Sequence, residues 1–175
     1  MTTYRPPAVS PTAATQLTQA HRALRLGRPE AVWATLHQLW SHQASPGLYT
    51  WDAPRPTQDE VADGWQYARG WHNETAVSPD YETAALLLLL QQDMLAYLDE
   101  AAAEPTVVLG AGITPAWLSQ PMAVSNLALP GGSITWQWDG QKMRVTLRGP
   151  ARKIQLGSAF PPGTELAVVQ KPLRP

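Results

Sequence analysis

At Pro105 the spacing of the apolar residues changes, and that change limits the fold of this 175-residue chain more than any other feature. Before it, apolar side chains recur every three or four residues, as on one face of a helix. After it they alternate, as on a half-buried strand. One element cannot serve both periods, so the chain divides into a helical part and a sheet part, the α+β class.

In the helical part, Ser10-Pro11 reads as a cap and first helical residue, with Leu17, Ala20, Leu24 and Leu26 as an apolar stripe up to Gly27. Arg28-Pro29-Glu30 restarts a helix at once. Its apolar residues are Val32, Trp33, Leu36, Leu39 and Trp40, and Pro46-Gly47 stops it. The tight Gly27-Arg28-Pro29 turn predicts an antiparallel αα-hairpin. A third helix opens at Ser78-Pro79-Asp80 and is expected to run to Pro105, with Met94, Leu95 and Leu98 on one face. Ala84 to Leu90 is apolar all round, which predicts cover on most sides and more neighbours than one hairpin supplies.

In the sheet part, Thr106 to Leu109 reads as a strand and Thr114 to Leu118 as one helical turn. Ile134, Trp136 and Trp138 alternate with polar residues, Asp139-Gly140 makes a two-residue turn, and Met143, Val145 and Leu147 return. Ala151 to Leu156 and Glu165 to Val169 are further strands, so this part is a small antiparallel sheet or sandwich. The resulting organisation is a Pro-rich arm (1–10), a helical region (11–104) containing a long loop (45–78), a β-domain (105–170) and a tail (171–175).

The charge balance, 13 Lys and Arg against 14 Asp and Glu, exerts no general pull toward nucleic acid or an anionic membrane. Arg144, Arg148, Arg152 and Lys153 read as a solvated strand face. The longest apolar run is about a third of a transmembrane span, and Met1 to Ser10 has no apolar core of a secretion signal, so the default location is the cytoplasm. The absence of cysteine removes disulfides and thiolate chemistry. His21, His37, His42 and His72 lack metal-ligand spacing, and Gly110-Ala111-Gly112 reads as a turn, so no metal or other cofactor is expected.

The aromatic residues are unusual: 8 Trp against 5 Tyr and a single Phe. Trp presents a flat face with a polar edge, which suits amphipathic ligands such as sugars. Segment 45–78 shows no period, and loops that long are usually functional or disordered. It carries Trp51, Trp65, Tyr67 and Trp71 beside Asp52, Glu74, Arg69 and His72, and its aromatic content favours order. Rings that stack on sugar faces, next to carboxylates that bind hydroxyls or move protons, are the parts of a carbohydrate site. Each part has a plainer reading. Asp52 suits the turn before Ala53-Pro54, and the loop tryptophans could pin the loop by burial. Trp33 and Trp40 read as helix-packing residues, and Trp136 and Trp138 as sheet core.

Three stretches carry a resemblance: SPGLYTWDAP (Ser45 to Pro54), SPDYETAALLLLLQQDMLAY (Ser78 to Tyr97) and VVLGAGITPAWLSQPMAVSNLALPGGSITWQWDG (Val107 to Gly140). Together they resemble the C-terminal end of bacterial six-hairpin, (α/α)6-barrel glycosidases, with AGITPAWL the most specific piece. The resemblance implies a partial α/α toroid followed by a small β-domain. It also implies glycosidic bond hydrolysis by a carboxylate pair, with Asp52 and Glu74 as the candidate acids. Trp51, Trp65, Tyr67, Arg69, Trp71 and His72 would line the substrate. Twelve helices do not fit in this length, so the chain would be an incomplete part, inactive alone, with carbohydrate and a second polypeptide supplying the missing hairpins as partners. Two other classes stand beside it. One is a stand-alone carbohydrate-binding module using the Trp-rich loop or the Trp136/Trp138 face; the other is a helical-hairpin interaction module.

Overall fold

A computed structural model describes residues 12–41 and 80–172, together with the strand pair 53–54 and 76–77. Helix α1 (Ala13–Arg25) starts at Thr12, two residues after the expected cap; the Thr12 hydroxyl accepts the Thr15 N–H at 3.2 Å. The helix ends in a Schellman turn: Arg28 N–H donates to the Ala23 carbonyl and Gly27 N–H to that of Leu24, both at 3.0 Å. Gly27 takes φ +68°, so the turn the sequence predicted is closed by the one residue that adopts this backbone cheaply. Helix α2 (Pro29–Ser41) follows with proline at its first position. Leu17, Ala20 and Leu24 of α1 face Val32, Leu36 and Leu39 of α2 in one core.

Strand β1 (Ala53–Pro54) pairs antiparallel with β2 (Ala76–Val77) inside the stretch read as a loop. Helix α3 (Tyr81–Leu95) is capped by Asp80, whose carboxylate accepts the N–H groups of Glu82 and Thr83 at 3.1 and 3.3 Å. Two expectations about α3 are corrected. The helix stops at Leu95 instead of running to Pro105, because Ala96 turns into strand β3 (Ala96–Asp99), which pairs with β4 (Thr106–Leu109). Sheet pairing there outweighs a helical propensity of a few tenths of a kcal/mol per residue. Nor is the apolar run covered on most sides. Leu90 and Met94 are buried, but Leu88 and Leu89 are 67% and 54% exposed.

The β-domain therefore begins at residue 96, and it includes Lys171, which the sequence assigned to a tail. It is a sandwich of two mixed sheets, where an antiparallel one was expected. In the smaller, β4 pairs antiparallel with β3 and parallel with β8 (Lys153–Leu156). In the larger, β5 (Met122–Leu129), β6 (Gly132–Trp138) and β7 (Lys142–Arg148) form a meander, and β9 (Glu165–Lys171) adds parallel to β7. The parallel additions arise because the chain crosses between the sheets after β7 and again after β8. Strand β5 was not legible in the sequence. Its register shifts between Val124 and Leu127, and Asn126 takes φ +54°, so the alternation is broken midway.

The small sheet is the middle layer. All four residues of β4 are buried, and alternation sends Val108 toward the helices but Val107 and Leu109 toward the large sheet. Trp136, Trp138, Met143 and Val145 fill the sandwich core, as the alternating pattern required. The Trp136 indole N–H donates to the Leu95 carbonyl at 3.2 Å and that of Trp138 to Leu118 at 2.9 Å. Both indoles thus have their polar edges satisfied inside the core. The hairpin turn is shifted by one residue. Trp138 faces Met143, the Asp139 N–H donates to the Lys142 carbonyl, and Gly140 at φ +101° and Gln141 sit at the tip.

Candidate binding cleft

Trp33, His37 and Trp40 follow one another at four and three residues along α2, so the helix sets all three rings on one face. Trp33 and His37 lie 6.1 Å apart between centroids, His37 and Trp40 5.7 Å, and Trp33 and Trp40 6.3 Å. A fourth ring comes from the β-domain. One turn of 3₁₀ helix, Pro115–Trp117, brings Trp117 to 5.3 Å from Trp33, its proline presetting the turn. The Trp33 indole N–H donates to the Gly112 carbonyl at 2.8 Å, which holds that ring in one orientation.

Between these rings lies a cleft of about 180 Å³ lined by Trp33, Leu36, Trp40, Gln91, Met94, Leu95, Gly112, Ile113 and Trp117. Gly112 sits where a β-carbon would lie 2.4 Å from the Met94 β-carbon, so only glycine lets the loop close against α3. Its N–H donates to the Met94 carbonyl at 2.9 Å, pinning the loop to the helix end. The lining is almost wholly apolar, Gln91 being its one residue with a polar amide side chain, and Trp40 and Trp117 remain 42% and 43% exposed at its rim. No carboxylate lines it among the described residues. It can hold a flat, ring-sized group by stacking and dispersion.

A second, polar pocket lies on the helix-facing side of the small sheet, between the α1–α2 turn and the end of β8. There Arg25 stacks on the Tyr97 ring with its guanidinium carbon 3.6 Å from the centroid, and pairs with Asp93 at 2.9 Å. Burial pushes the Tyr97 phenol above its ordinary pKa, while Arg25 pulls the other way. The Ser158 hydroxyl donates to the Gly27 carbonyl at 2.8 Å. The Tyr97 and Ser158 contacts hold the helical hairpin to the small sheet, and the Asp93 pair ties it to α3.

The candidate acids Asp52 and Glu74, and the candidate binding residues Trp51, Trp65, Tyr67, Arg69, Trp71 and His72, lie outside the described residues. The Trp136/Trp138 face is core, which removes it as an exposed platform. Trp33, read from the sequence as a packing residue, does pack against the helical core and also lines the cleft, whereas Trp40, read the same way, is 42% exposed at its rim. The signal was present in the four-three spacing of Trp33, His37 and Trp40 on one helix. The partner Trp117, however, is far away in sequence, and no local pattern announces it. No protein-family model, curated protein or solved structure matches this chain.

Proposed function

We propose that this chain is a binding module that holds one ring of a carbohydrate ligand against Trp33, Trp40 and Trp117, without catalysing its cleavage by itself. The observation that carries the reading is the pairing of two half-exposed tryptophans around a floor tryptophan whose ring is locked by its bond to Gly112. A pyranose ring offers an apolar face to such a surface, and the Gln91 amide supplies a donor and an acceptor for its hydroxyls. The six-hairpin resemblance supports the same ligand class. Its hydrolytic part rests on Asp52 and Glu74 alone.

The near-absence of polar atoms in the lining favours a second ligand, an apolar side chain of a protein partner. Titration separates the two while tryptophan emission is followed. Saturable change with oligosaccharides, lost in Trp117→Ala and Trp40→Ala, supports the sugar reading. Silence across a broad glycan panel together with a response to apolar peptides replaces it by the second. Silence to both removes the cleft as a site.

A further inference from the structure

The large sheet ends in β9, and among the described residues only β7 pairs with it, through one of its two edges. Natural sheets protect such an edge with proline, a bulge, an inward charge or a covering element. Strand β9 reads Glu165-Leu166-Ala167-Val168-Val169-Gln170-Lys171, seven residues in unbroken register with β7, with charges at its ends alone. Its side chains are also undercovered. The register sets Leu166, Val168 and Gln170 on the core side beside Met143, Val145 and Leu147. Leu166 packs against the sandwich core, yet Val168 is 45% exposed while its neighbour Val145 is buried, so the cover given by the three-stranded layer does not reach Val168. Val169, on the outer side, is 51% exposed.

The strand is complementary to itself. In an antiparallel pairing centred on Val168, Glu165 of each copy faces Lys171 of the other, Leu166 faces Gln170, Ala167 faces Val169, and Val168 meets its own counterpart. The charges match at both ends, every core-side residue meets a core-side residue, and each Val168 loses its solvent. We propose that a second copy of this chain occupies the edge, joining β9 to β9 across a two-fold axis through Val168 and making one continuous eight-stranded sheet. The contact is isologous and closes at two. It is confined to one strand per copy, so association falls in the weak, micromolar class of interfaces.

The test is sedimentation of the full chain over a concentration series, with circular dichroism melts to show that each variant is folded. Expected is a reversible monomer–dimer equilibrium. Glu165→Lys alone and Lys171→Glu alone each create two like-charge contacts and weaken the dimer by roughly ten-fold. The two substitutions together restore it, and Val168→Lys, which sets two ammonium groups on the axis, abolishes it. Within one chain Lys171 lies beside Arg148, so Lys171→Glu relieves a repulsion there; a merely structural role predicts no loss of association for that variant. A chain monomeric at all concentrations, open-ended assembly, or a dimer indifferent to these substitutions overturns the proposal.

Discussion

Replacing Gly112 by alanine places a methyl carbon 2.4 Å from the Met94 β-carbon, 2.5 Å from its γ-carbon and 2.8 Å from its ε-carbon. A different Met94 rotamer relieves the last two contacts. The first it leaves untouched, because the β-carbon is fixed by the backbone of α3. The loop must therefore move away from the helix. Overpacking of this kind costs about 1–3 kcal/mol. The displacement also stretches the Gly112 N–H to Met94 bond of 2.9 Å and the Trp33 indole bond of 2.8 Å, which adds about 1 kcal/mol. A total of about 2–4 kcal/mol in a chain of this size lowers Tm by roughly 5–15 °C. Differential scanning calorimetry measures that, and tryptophan emission reports the released Trp33 ring. The change also splays Trp33 from Trp117, so ligand titrations of the cleft should lose amplitude together with Tm. A Gly112→Ala protein with Tm within about 1 °C of the parent and unchanged emission would refute the argument.

Trp136→Phe removes the donor to the Leu95 carbonyl and leaves a void in the sandwich core, at a cost of about 2 kcal/mol by urea denaturation; Leu95 keeps the Gly110 N–H at 2.8 Å, so its carbonyl is not orphaned. Burial raises the Tyr97 pKa, so the fold favours the neutral phenol. That contribution is complete below the unfolded value near 10 and is lost as pH rises through the folded one, giving denaturation curves that weaken above about pH 10 in the parent more than in Tyr97→Phe. Asp139 titrates below its ordinary value, because the backbone N–H groups of Lys142 and Gln141, and more weakly Arg144, favour the carboxylate. Its contribution is present above the unfolded value of 3.8 and fades as pH falls through the folded one, a dependence that Asp139→Asn should erase in acid melts while keeping the turn.

Some of this architecture was written in short-range chemistry. The α1–α2 hairpin follows from Gly27 and Pro29, since one residue adopts a left-handed turn and the other starts a helix without needing its missing N–H. The β6–β7 hairpin follows from strict alternation, and the burial of Trp136 and Trp138 follows with it. Each of these signals lies within a few residues of the feature it specifies, so the sequence by itself determines the α+β class, the two hairpins and the buried face of β6 and β7. The tertiary structure decides what depends on residues distant in the chain. Ala96 to Asp99 become a strand because β4 offers ladder partners, β8 and β9 join in parallel because of where the chain crosses, and β5 hides behind its own bulge. The cleft belongs to the same class. Trp33 and Trp40 differ from ordinary packing residues solely because Trp117, Ile113 and Gly112 meet them across the helix–sheet boundary. A contact between residues about 80 apart in the chain is a matter of three-dimensional closure, which local periodicity does not encode.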